Sequence, residues 1–194
     1  MILYLHGFRS SPQSFKARLL AARMAELGQA DAFLCPQLPA SPRAALALAQ
    51  QLIEASGPEN VALIGSSLGG FYATCLAERN GCRAALLNPA VHAARDLATQ
   101  VGTTTAYHSE TPFEFKAHYV DELKAMAVAR ITRPQRYLLL AATGDEVLDW
   151  REMVAHYPGA THCIIDGSDH GISEFADYQD RVLAFCGVDT PAKA

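Results

Sequence analysis

The chain has 194 residues, 50% of them hydrophobic, which suits one domain burying roughly 70% of its unfolded surface without a disulfide or metal staple. Sixteen Lys and Arg against twenty Asp and Glu leave a formal charge of −4 with no basic cluster, which argues against a nucleic-acid partner. No apolar run is long enough to span a membrane, and the five cysteines form no C-x-x-C pair, so they read as reduced core residues of a cytoplasmic protein.

The chain opens on a short strand at residues 2–5 rather than on a basic leader with a long apolar core, so no signal peptide is expected. A loop from His6 to about Ser14 leads to a helix over 15–27, with Leu19, Leu20, Met24 and Leu27 on one face and Gly28 as its C′ residue. Residues 32–35 form a second strand, stopped by Pro36. Ser41 caps a helix that has Pro42 in its first position and runs through Leu46, Leu52 and Ile53 to Gly57. A third strand over 60–64, a helix over 70–79 and a fourth strand over 84–87 follow. The alternation then breaks from about 90 to 133, where only 121–129 reads as helical. It resumes with a strand at 137–142, a helix at 149–157, a strand at 162–165 and a closing helix at 174–185. Strands separated by helices imply right-handed crossovers. They predict an α/β three-layer sandwich with a mainly parallel sheet of about six strands, ordered 2-1-3-4-5-6, in a single domain with a small cap-like insertion at about 90–133.

Gly65-Ser66-Ser67-Leu68-Gly69 carries the most chemistry. It is a G-x-S-x-G pentapeptide between a strand and a helix, the context in which a serine sits on a sharp turn with its hydroxyl above the sheet edge. A serine hydroxyl needs a base to take its proton, and the base needs a third group to fix its tautomer. In such folds the acid and the histidine follow on loops after later strands. Asp145, after the fifth strand, is assigned as the acid in preference to Glu146 and Asp149, the latter reading as a helix N-cap. His170, after the sixth strand, is the general base, with Asp169 beside it a loop residue. The amides of Leu68 and Phe8 are the expected oxyanion donors. Arg9 and Ser10 stand where they would meet a polar substrate group or serve the loop.

The remaining histidines support no metal. His6 follows a buried strand and reads as structural, and His92, His108, His118, His156 and His162 show no ligand spacing, so neither metal nor cofactor is expected. Tyr107, Phe113, Phe115 and Tyr119 lie within the irregular insertion, where they line an acyl pocket or fasten the insertion to the body; the second reading is preferred.

With these residues in view, the chain resembles the YqiA/YcfP family of small bacterial α/β-hydrolase-fold esterases. The resemblance rests on Tyr4-Leu5-His6-Gly7-Phe8 with Ser10-Ser11-Pro12, the stretch from Gly65 to Thr74, Asn88-Pro89-Ala90-Val91, the stretch from Thr143 to Asp149, and Asp169-His170 followed by Phe175. It implies carboxylesterase or acyl-thioesterase activity on a small-molecule substrate, with Ser67, Asp145 and His170 as the triad. Gly171-Ile172-Ser173-Glu174 departs from the family's more aromatic His-Ala-Phe pattern, which bears on the pocket wall and on acyl preference. The sequence leaves two other readings open: amide or peptide cleavage by the same triad, and a non-catalytic binding or regulatory module on a hydrolase scaffold.

Overall fold

Strands whose residues are apolar at every position need cover on both faces, and the arrangement of the chain provides it. The computed structural model describes residues 1–107 and 112–190. In chain order the strands are β1 (Ile2–Leu5), β2 (Phe33–Leu34), β3 (Ala62–Ser66) and β4 (Arg83–Leu87), then a separate pair β5 (Gly102–Thr105) and β6 (Pro112–Phe115), then β7 (Tyr137–Ala142) and β8 (Thr161–Ile165). The main sheet has the order β2-β1-β3-β4-β7-β8, and every pairing in it is parallel. β5 and β6 make a two-stranded antiparallel hairpin outside it.

The helices are α1 (Phe15–Glu26), α2 (Pro42–Ser56), α3 (Leu68–Asn80), α4 (Ala93–Leu97), α5 (Ala117–Met126), α6 (Trp150–His156) and α7 (Gln179–Phe185). Side chains alternate across the pleat, so neighbouring residues of one strand enter different cores. Ile2 and Tyr4 join Ile64, Leu138 and Leu140 under Leu20 and Met24 of α1 and Val182 and Leu183 of α7. Leu3 and Leu5 join Leu63, Leu86 and Leu139 under residues of α2, α3, α5 and α6.

Local chemistry explains the helix ends. Ser41 Oγ accepts from Ala44 N at 3.2 Å with Pro42 at the first helical position, and α3 closes on Gly81 in the left-handed region at φ 79°. Glu122 of α5 accepts from Ser41 Oγ and Arg43 N, both at 2.9 Å, so the insertion is pinned to the start of α2.

The regions that differ from expectation are those with short or irregular patterns. Helix α4 and the β5–β6 hairpin lie in the stretch read as irregular, and α5 begins and ends earlier than 121–129. The closing helix starts at Gln179, residues 175–177 forming a separate 3-10 turn. Strands β1 and β3 are neighbours, yet α1 after β1 and α3 after β3 cover opposite faces of the sheet. A crevice therefore opens at their carboxyl ends, where open α/β sheets bind ligands.

Candidate active site

Ser67 links β3 to α3 with φ 53° and ψ −120°, a backbone conformation that costs a side-chain-bearing residue about 1–3 kcal/mol. The surrounding packing imposes it. A Cβ on Gly69 would lie 1.9 Å from the Leu5 carbonyl oxygen, and one on Gly65 would lie 2.3 Å from the Gly69 carbonyl oxygen. The first turn of α3 is thus pressed against the end of β1, which only glycine at these two positions allows. Ser67 N donates to Leu87 O at 3.0 Å, while Ser67 O accepts from Ala90 N at 3.0 Å, so β4 and the loop after it also hold the turn. Both serines line a cavity, Ser66 as a buried residue and Ser67 as a partly exposed one.

Asp145 and His170 are brought into contact. The Asp145 side chain is fully buried, and its Oδ2 lies 2.8 Å from His170 Nδ1. Its Oδ1 accepts from the amides of Val147 and Leu148, each at 2.8 Å. A carboxylate so placed can only accept, so Nδ1 carries the hydrogen and Nε2 keeps its lone pair. His170 and Ser67 line the same cavity. Among the described residues no hydrogen bond joins Ser67 Oγ to the imidazole, a contact that free sites often leave long and tighten when substrate binds.

Several side chains that sequence reasoning left without a role fix the histidine loop. Asn88, wholly buried with φ 44°, donates from Nδ2 to the carbonyls of Asp169 and His170, both at 3.1 Å. Its Oδ1 accepts from Ala142 N at 2.8 Å and its own amide donates to Leu140 O at 2.9 Å. Glu146, weighed only as a rival acid, accepts from His170 N at 3.0 Å. Asp149 caps α6 by accepting from Arg151 N at 2.9 Å. Asp169 accepts from Ser173 Oγ and N, and these bonds, the Oγ one foremost, hold its carboxyl below the usual range. Ile172 adopts φ 50° with its side chain fully buried, an unusual state for a β-branched residue. The signal for Asn88 was present in the sequence: Asn tolerates the left-handed region, and here it sits between a strand and a proline.

The loop after β1 lies against the elbow. A Cβ on Gly7, the residue before Phe8, would come 3.3 Å from Ser67 Cβ. Leu68 is the first residue of α3, and a helix gives no internal partner to its first amides. His6 is 3% exposed. Its Nε2 accepts from Leu38 N at 3.0 Å, so Nδ1 is the donor to Gly7 O, also at 3.0 Å. Burial pushes its pKa down and keeps it neutral.

The cavity over these groups measures about 870 Å³. Phe8, Leu68, Ala90, Leu97, Tyr107 and Leu148 make an apolar limb, to which the insertion contributes Leu97 and Tyr107. Ser10 lines the cavity. Arg9 instead faces the hairpin: its Nε donates to Thr105 O at 2.7 Å, its guanidinium stacks 4.6 Å from the Tyr107 ring centre, and its carbonyl accepts from Tyr107 N. The insertion's aromatics divide between two tasks. Phe113 and Phe115 meet the Phe8 ring edge to face at 5.1 Å, and Tyr119 meets Phe115 at 5.5 Å, fastening the hairpin, while Tyr107 faces the cavity. His108 lies outside the described residues.

Comparison with solved structures shows the α/β-hydrolase fold. The esterase domain of a Rhodothermus marinus protein superposes with a TM-score of 0.69 at 20% identity, over 95% of this chain and 85% of that one. Est1E from Butyrivibrio proteoclasticus, in a structure with ferulic acid bound, gives 0.68 at 16% identity over 96% and 86%. The mouse α/β hydrolase domain-containing protein 10 gives 0.68 at 20% identity over 94% and 89%. Residues 1–187 match the family described as "Uncharacterised protein family (UPF0227)". Nearly the whole chain falls inside that match, including the elbow and both later loops, so the protein belongs to UPF0227, the YqiA/YcfP family.

Proposed function

We propose that the protein is a cytoplasmic serine hydrolase that cleaves carboxylic esters or acyl thioesters of small molecules through an acyl-enzyme intermediate. The observation that carries this reading is the 2.8 Å contact between His170 Nδ1 and the buried Asp145, on a cavity wall shared with Ser67 in its left-handed turn. Ser67 Oγ attacks the carbonyl carbon as its proton passes to His170 Nε2. The amides of Leu68 and Phe8 meet the resulting oxyanion, each contributing about 3 kcal/mol at the transition state. Collapse breaks the C–O or C–S bond, and the imidazolium returns its proton to the leaving alcohol or thiol. Water then attacks the acyl carbon, His170 takes its proton, and the acid leaves as Ser67 Oγ is reprotonated.

A fluorophosphonate probe tests the reading directly. It should label the wild-type protein at Ser67 and leave Ser67→Ala unlabelled; folded protein that resists the probe would favour a binding module. A panel of acyl esters, acyl thioesters and anilides then separates ester or thioester cleavage from amide cleavage. Turnover of the anilides alone would replace our assignment with the amidase reading.

A further inference from the structure

The cavity also has polar lining residues. Lys16, on the first turn of α1, is one of them and is only 9% exposed. Its ammonium donates to the carbonyl of Gly171 at 2.6 Å, the residue after the proposed base. Among the described residues no carboxylate lies within ion-pairing distance; Asp169 and Asp145 act on the ammonium only from further away. Tyr4 and Ser173 line the same cavity. A buried cation normally has a partner, because an uncompensated charge is expensive to keep out of water. Here one carbonyl takes one of the three N–H donors, and among the described residues Asp169 and Asp145 offset the charge only at longer range.

We propose that Lys16 recognises an anionic substrate group, so that the esters this site prefers carry a carboxylate on one arm. This rests on the serine-hydrolase reading and narrows its substrate class. The carboxylate would neutralise the ammonium and accept from the donors that Gly171 leaves over, while the apolar limb takes the other arm. Burial lowers the Lys16 pKa to about 8, against the opposing pull of Asp169 and Asp145. Anion binding should therefore weaken above that pH as the ammonium loses its proton. The other titratable groups lining the cavity are Tyr4, Asp96, Tyr107 and His170, Asp96 being paired with Arg95 at 2.7 Å; burial pushes the Tyr4 pKa well up, out of that range.

The test uses matched half esters and diesters: monomethyl and dimethyl succinate, glutarate and adipate. Calorimetry on Ser67→Ala protein reads binding without turnover, so it stands even if Ser67 proves not to be a nucleophile. At least one half ester should bind about 10–100-fold tighter than its neutral diester, with a preference that fades above pH 8. Adding Lys16→Met should erase the preference, and Lys16→Gln, which can still donate to the Gly171 carbonyl, should erase it too. In the protein with Ser67 intact, Lys16→Gln should slow hydrolysis of the half ester more than that of its neutral diester. Equal affinity for half ester and diester throughout the series would overturn the proposal. So would a Lys16→Gln protein that keeps the preference, or one that slows neutral and anionic esters equally, the mark of a residue that only positions the loop.

Discussion

The elbow and the insertion both line one cavity and are built in opposite ways. The elbow wall is held by backbone contacts with no slack: Gly69 against Leu5, Gly65 against Gly69, and Ser67 bonded to β4 and the loop beyond it. The insertion wall is made by Leu97 of α4, Gln100 and Tyr107, and the hairpin beside it is held to the body by the rings of Phe113 and Phe115 on Phe8 and by Arg9. Reacting groups need fixed geometry, whereas a wall that selects substrate can change without disturbing it. Under the proposed reading, chemistry belongs to the sheet edge and selectivity to the insertion.

The largest effect should come from the fixed side. Asp145→Asn should keep the fold and reduce kcat about 10⁴-fold, because the amide no longer holds His170 in the tautomer with a bare Nε2. Tyr107→Ala, in the insertion, should leave kcat within about threefold and shift KM among acyl chain lengths. If the two variants lose comparable kcat, the division of labour is wrong.

Stability offers the next contrast. Gly69→Ala places a methyl on the Leu5 carbonyl and should cost more than about 4 kcal/mol, read as loss of cooperative urea unfolding or of folded protein. Gly102→Ala, in the hairpin, meets nothing within 4 Å and should cost only the backbone strain of its φ of 138°, about 1–3 kcal/mol.

Asn88→Ala leaves the buried Ala142 amide without its acceptor and frees the carbonyls of Asp169 and His170. We expect about 1–3 kcal/mol of lost stability together with a fall in kcat. Unchanged kcat in a destabilised variant would limit Asn88 to a structural part.

The smallest expected effect concerns His6. Its pKa is lower in the folded chain than the unfolded value of about 6.5, so the unfolded state binds more protons in the window below that pH. Stability should be full above about pH 6.5 and decline as acid is added. The decline should be shallower in His6→Asn when melting temperatures are compared between pH 7 and pH 5.

The fold was legible because apolar strands alternate with capped helices, and β1, β7 and the Ser41–Pro42 start of α2 stand where the pattern puts them. The contact of Asp145 with His170 was legible because chain order and strand ends determine which loops can meet. The hairpin was not: Gly102-Thr103-Thr104-Thr105 has no apolar face, and its pairing depends on Phe113 and Phe115 finding Phe8, a partner about a hundred residues earlier. Nor was the Lys16 environment, since a lysine on the exposed end of an amphipathic pattern reads as solvated. Its burial depends on the loop after β8, which the helix's own sequence does not encode.

Asn88 joins the ends of β4 and β7 to the loop that carries His170 through a single side chain. Loosening at either strand end is therefore felt at the imidazole before the sheet itself parts. On slow warming, turnover should fade while circular dichroism still reports an intact fold, so that heat disarms the site before it melts the protein.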